Sequence, residues 1–327
     1  MQRYSPAQFI ELPPPLAGIP GTTQGVYGDA GNLEFVAPDP HDGFWVFWFN
    51  GDALDHRQGP PAGRWSGGLH IVTGTVVSSV NISQVVFGPY FLEAVIVEAG
   101  TASRVVWSPD QGFVRAEELI RCAEPMVSAI VGTTAALHCL VRGADGRVSH
   151  LRAGVERYPE LVWHPVPSPD STDVVAISLS PDPARPDGLL AALISSTRVT
   201  ALQFTGDEWV LDGEEPTDWL SVCVVAGGDR PCYVGLTRTG VVQLGEWTPA
   251  YAWRLSEPAI PTADTVAACW SSLEGGVIEI LTLHASEITH VRWHTASRTV
   301  ISIEKPVLSV GWADRTTLTL QREIKLT

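Results

Sequence analysis

Apolar residues in this chain fall in short runs of four to eight, bounded by Gly, Pro, Asp or Ser, and seldom at helical spacing. The exception in density is "FWVFWF" (44–49), with five rings in six positions. A strand with one wet face alternates apolar and polar side chains, and this one does not, so both of its faces must be covered. The best helix pattern is "RAEELIRCAEPM" (115–126), which predicts a short helix ending against Pro125.

The strand runs recur as a unit: a first strand, a short loop, a hairpin and an outer strand often carrying Trp. Hairpins begin at "LEFVAP" (33), "LEAVIV" (92), "LHCLVR" (137), "LLAALI" (189), "YVGLTR" (233), "VIEILT" (277) and "LTLQRE" (318), at spacings of 59, 45, 52, 44, 44 and 41. Two insertions, "DPHDG" (39–43) and "DALDHRQGPPAG" (52–63), lengthen the first. A four-stranded repeat of about 40–50 residues is the signature of a β-propeller blade. Blades pack face to face, so a middle strand may be apolar throughout, and "FWVFWF" fits the third strand of blade 1. Six repeats are complete. A seventh begins at "VLSVGWAD" (307–314) and runs out at Thr327, while "AQFIEL" (7–12) precedes the first repeat. The expectation is one all-β domain over residues 1–327. It is a β-propeller of seven four-stranded blades, with six as the runner-up, closed by pairing the two termini so that no sheet edge is left open.

Composition narrows the function. The formal charge is −15 and there are only two lysines, Lys305 and Lys325, which argues against nucleic acid and against anionic membrane as partners. The five cysteines, Cys122, Cys139, Cys223, Cys232 and Cys269, are scattered, and most sit in apolar runs, so they are expected to be free thiols in a reducing compartment. The start of the chain has no apolar leader and no run of about 18 apolar residues occurs, so a cytoplasmic protein is expected, with release by another route left open.

Tryptophans carry the candidate chemistry. Trp270 and Trp312, 42 apart, hold matching places in first strands, where two rings at a channel mouth would stack on a sugar or other planar ligand. Trp48, Trp107, Trp247 and Trp293 recur on third strands near Asp52, Asp110, Thr248 and His294. Such pairs offer an aromatic face for the C–H surface of a sugar and acceptors for its hydroxyls, although blade-to-blade packing uses the same rings. His290 and His294 lie about 13 Å apart along a strand, too far to share a metal. No metal and no cofactor is expected, and no nucleophile, phosphate-loop or zinc-protease motif occurs.

"YGDAGNLEFVA" (27–37) and "FGPYFLEAVIV" (87–97), each followed by a Trp-bearing strand ("FWFNGD", "VVWSPDQG"), resemble the repeats of seven-bladed bacterial propeller lectins. The resemblance covers blades 1 and 2. Trp48-Phe49-Asn50 and Trp107-Ser108-Pro109 stand where that family has Trp-Arg-Asp. "SPDQG" (108–112) is also similar to the start of an Asp-box turn, in which Asp110 would accept backbone amides and Gly112 would turn left-handed. The resemblance implies a non-catalytic, lectin-like carbohydrate binder with Trp48, Asn50, Asp52, Trp107 and Asp110 at the sugar. The alternative is an enzyme of glycosidase, lyase or cyclase type at the channel mouth near Trp270 and Trp312, under the loop 51–64. The third is an acidic scaffold for a basic protein partner.

Overall fold

A computed structural model describes residues 16–25, 32–50, 64–65, 68–121, 127–143, 145–228, 230–247, 253–271, 274–305 and 314–317. Six antiparallel sheets follow one another along the chain. Blade 1 holds β1 (Gly21–Gln24), β2 (Leu33–Pro38), β3 (Phe44–Asn50) and an interrupted outer strand, β4 (Arg64–Trp65) and β5 (Leu69–Val72). Blade 2 is β6 (Val77–Gln84), β7 (Leu92–Glu98), β8 (Thr101–Ser108) and β9 (Gly112–Arg121). Blade 3 is β10 (Val127–Gly132), β11 (Ala136–Arg142), β12 (Val148–Gly154) and β13 (His164–Val166). Blade 4 is β14 (Ala176–Pro181), β15 (Leu189–Ile194), β16 (Arg198–Phe204) and β17 (Trp209–Pro216). Blade 5 is β18 (Trp219–Val225), β19 (Cys232–Thr237), β20 (Val242–Trp247) and β21 (Trp253–Ser256). Blade 6 is β22 (Thr265–Trp270), β23 (Val277–His284), β24 (Glu287–His294) and β25 (Thr299–Glu304).

The innermost strands touch in the order β1, β6, β10, β14, β18, β22 and back to β1. The ring is a six-bladed propeller, and the expectation of seven blades is overturned. Because β22 packs directly on β1, no sector remains for another blade. Blade 6 also has its own four strands among the described residues. The tail that looked like a seventh repeat supplies β26 (Asp314–Thr317), which adds in parallel to β5 at the outer edge of blade 1. "AQFIEL" and residues 318–327 lie outside the described residues. The seam between blades 6 and 1 is closed by packing: Leu33, Phe35 and Phe47 meet Leu281, Leu283 and Ile288. Leu16 also donates its amide to the Ser286 hydroxyl at 3.2 Å.

This packing explains "FWVFWF". Phe44 and Val46 point into the junction with blade 2, beside Val80, Ile96 and Phe113. Trp45 and Phe47 point the other way, into the seam with blade 6. All four are at most 4% exposed. Trp45 keeps its indole N–H satisfied on the Asp39 carboxylate at 2.8 Å. The predicted helix over 115–126 is instead the outer strand β9 as far as Arg121, and 122–126 lie outside the described residues. Pairing with β8 overrides the helix propensity of Ala, Glu and Leu, and two register shifts bend the strand as it does so.

Innermost strands present one edge to the channel with no strand beyond it. Polar side chains of one blade occupy part of that edge by capping amides of the next. Asn81 Oδ1 accepts the Ile130 amide at 2.8 Å and Ser83 Oγ accepts that of Gly132 at 3.2 Å. Ser178 and Ser180 do the same for Val224 and Ala226 at 2.9 and 3.3 Å, and Thr23 for Gln84 at 3.1 Å.

Candidate functional site

Side chains on a blade alternate between its two neighbours, so every second residue of a second strand faces the following blade. Near the start of that strand such positions hold Glu34, Glu93, His138 and Glu279 in blades 1, 2, 3 and 6. In three of them a basic side chain meets it from the third strand, two residues from the directly paired position. Arg104 grips Glu93 through two bonds of 2.8 Å, both residues being almost fully buried. His138 and His150 join nitrogen to nitrogen at 3.0 Å. His290 meets Glu279 at 2.8 Å.

The following blade fills each of these junctions with its own groups. Tyr158 of blade 3 donates its hydroxyl to Glu93 at 2.6 Å, and Trp163 donates to Glu117, itself bonded to Arg104. Asp187 of blade 4 takes His138 at 2.9 Å and Arg152 at 2.8 Å, while Trp209 covers His150. Phe49 and Trp65 of blade 1 close over His290, each 5.5 Å away. Each of these clusters brings an acid, a base and aromatic rings together, and the following blade's own side chains fill it. In a hydrogen bond between two imidazoles one nitrogen must donate and the other accept, so both rings cannot be protonated there. Burial lowers the pKa of His138, and burial together with the neighbouring His138 lowers that of His150 to about 3. Glu34 is only 9% exposed, and burial raises its pKa to about 8.

The junction between blades 5 and 6 differs: it holds an open cleft of about 360 Å³. Trp293 of β24 and Trp270, the last residue of β22, form its aromatic wall. The Trp270 ring lies on the backbone of Gly227 and Gly228, where a Cβ at Gly227 would fall 2.2 Å from ring atoms. Only glycine permits that approach, so the "AGG" turn of blade 5 positions a ring of blade 6. Arg298 reaches into the cleft from the β24–β25 turn in a left-handed conformation (φ 56°), its amide held by the His294 carbonyl at 2.8 Å. Its guanidinium is paired with Glu246 of β20, across the junction. Arg254 also binds Glu246, through Nη2 at 2.8 Å and Nε at 3.0 Å. Arg230 stands exposed on the rim and donates to the Trp247 carbonyl at 3.4 Å. A larger hollow of about 700 Å³ beside blade 3, lined by Asp145, Arg147 and residues 168–172, has no aromatic wall. A third, of about 430 Å³, has Trp209 as its one ring and no basic side chain.

Most of the sequence candidates do not converge. Trp48 is half-buried on β3 opposite Glu34, and Trp107 is half-buried against the core between blades 1 and 2. Asn50 ends β3 opposite Arg64. Asp52, Trp312 and the loop 51–63 lie outside the described residues. Asp110 is exposed, and it is the Ser108 hydroxyl that accepts the turn amide, from Gln111 at 3.3 Å. Gly112 does turn left-handed, at φ 69°. Of the candidates, Trp270 and Trp293 line the open cleft. Arg230, Glu246 and Arg298 were missed, because two turns and a strand of two different blades bring them to one cleft. The acid–base pairs inside blades did have a signal: Glu93 and Arg104, and Glu279 and His290, are each 11 residues apart.

No family profile matches the sequence, and no characterised relative matches it. Solved structures do match in fold. The fucose-specific lectin from Aleuria aurantia, described as a six-bladed propeller, superposes with a TM-score of 0.63 at 12% identity, covering 94% of this chain and 100% of that one. AofleA from Arthrobotrys oligospora gives 0.66 at 10% identity over 94% of this chain and 93% of that one. The BP39L lectin from Burkholderia pseudomallei gives 0.57 at 12% identity over 88% of this chain and 83% of that one. At these identities the likeness is one of fold.

Proposed function

We propose that the protein is a non-catalytic carbohydrate-binding propeller that holds its ligand between blades 5 and 6. The observation that carries this reading is the cleft in which Trp270 and Trp293 offer aromatic surface while Arg230 and Arg298 offer hydrogen-bond donors. A pyranose needs both: a ring for its C–H face and fixed polar groups for its oxygens. The fold likeness to proteins named as fucose-specific lectins supports it. So does the state of Glu246, the one carboxylate lining the cleft among the described residues: two guanidiniums hold it, and a glycosidase would need two facing carboxylates at the bond to be cleaved.

The test is a glycan-array screen followed by titration of the best ligand against wild type and Trp270→Ala. Loss of a stacking ring should weaken binding by about tenfold or more. Unchanged affinity in Trp270→Ala would exclude this cleft, and hydrolysis of the bound glycan would exclude the non-catalytic reading.

A further inference from the structure

The cleft between blades 5 and 6 carries more positive than negative side chains among the described residues. Arg230 and Arg298 line it together with a single carboxylate among the described residues, Glu246, which Arg298 holds along with Arg254 of β21. Arg254 and Arg298 both bind the same oxygen of that carboxylate, Oε1. Each guanidinium carries five N–H donors and no acceptor. A neutral sugar presents hydroxyls, which donate as well as accept, and a site that reads hydroxyls therefore needs free carboxylate or amide oxygens. Here one oxygen of the carboxylate is held by two arginines. Two guanidiniums line the cleft against one carboxylate, and a ligand that brings negative charge completes the balance.

The position of Arg298 points the same way. It stands in the left-handed region, where Asn or Gly costs less, yet this turn carries an arginine whose head group crosses to blade 5. Arg230 lies on the opposite rim, on the turn that also supplies Gly227 and Gly228 beneath Trp270. A ring stacked on Trp270 would thus share the cleft with two guanidiniums. The chain as a whole is strongly acidic, at −15, but screening over about 8 Å at physiological salt leaves the local guanidiniums in control of the cleft.

We propose that this cleft selects an acidic saccharide, one bearing a carboxylate or sulfate, whose anionic group is received by Arg230 and Arg298 while the sugar ring stacks on Trp270. The inference rests on the carbohydrate reading above and sharpens it to a charge class.

The experiment is calorimetric titration of the full chain with matched pairs that differ only in the acidic group. The pairs are methyl glucoside against methyl glucuronide and methyl galactoside against methyl galacturonide, with the 6-sulfates of both sugars to separate sulfate from carboxylate. In at least one series the acidic member should bind about tenfold more tightly than its neutral partner, the strength of one charge-assisted hydrogen bond. Arg230→Gln, at an exposed position that should leave thermal unfolding unchanged, should bring the two members of that pair to within about twofold. Trp270→Ala should weaken both members. Preference for the sulfate or for the carboxylate identifies the anion, and either supports the inference. If neutral and acidic partners bind alike and both depend on Trp270, the charge selection is wrong and the carbohydrate reading stands. An acidic preference that survives Arg230→Gln and Arg298→Gln also overturns it. If no saccharide of either class binds in a Trp270-dependent way, both readings fall.

Discussion

The carboxamide oxygen of Asn81, on the innermost strand of blade 2, accepts the backbone N–H of Ile130, on the innermost strand of blade 3, at 2.8 Å. A side chain here does the work of a missing strand. Asn81→Leu keeps the volume but leaves that amide without its acceptor, which should cost about 1–3 kcal/mol. Urea unfolding should show a lower midpoint with an unchanged slope; an unchanged midpoint would mean that water replaces the carboxamide.

Glu93 and Arg104 form a buried pair with two bonds of 2.8 Å. Removing one partner strands the other's charge, so Arg104→Met should destabilise by about 3–5 kcal/mol. The double variant Glu93→Gln/Arg104→Met should recover part of that loss, because neither charge then remains. If the double variant is as unstable as the sum of the two singles, the pair is not coupled as described.

The linked histidines make stability depend on acid. Their pKa values are lowered in the folded chain, that of His150 to about 3 against an ordinary 6.5, so the unfolded chain binds protons that the folded chain refuses. Their contribution is fully present above about pH 6.5 and is lost as pH falls from there toward 3, by up to about 1.4 kcal/mol per pH unit for each ring. His150→Phe should flatten the fall in melting temperature between pH 6.5 and 4.5. A parallel curve for the variant would rule the pair out as its source.

Glu34 acts with the opposite sign. Its carboxyl is raised by burial to about 8, so the folded chain holds a proton that the unfolded chain gives up above about pH 4.5. Stability is therefore lost as pH rises from about 4.5 toward 8. Glu34→Gln removes the titration, and its melting temperature should gain on wild type as pH goes from 5 to 8. A constant difference between the two proteins would contradict the assignment.

Much of the fold was legible because a blade writes a local pattern. The runs at 33, 92, 137, 189, 233 and 277 all lie on second strands, and "FWVFWF" is the third strand of blade 1, covered on both sides. The blade count was not legible. "VLSVGWAD" has the apolar spacing of an innermost strand, and only the direct packing of β22 on β1 shows that the ring is already complete. The site was legible in part. Trp270 stood out as an aromatic residue on a first strand, but whether its ring faces the channel or a neighbouring blade depends on Gly227 and Gly228, over forty residues earlier. The partnership of Arg298 with Glu246 likewise exists only once two blades meet.

Every blade draws its four inner-to-outer strands from one continuous stretch of chain, and this bears on the order of assembly. Neighbouring blades dock through contacts such as Asn81–Ile130, 49 residues apart, whereas the seam joins Leu16 to Ser286 over 270. By loop-closure entropy the longer separation costs about 1.5 kcal/mol more than the shorter one. Five of the six dockings can therefore proceed while the chain is still leaving the ribosome, each blade settling on the last. The sixth must wait until blade 6 itself has been made. Until then the apolar flanks of blades 1 and 6 stay uncovered, and a nascent chain stalled at that stage is the form most exposed to aggregation and most in need of a chaperone.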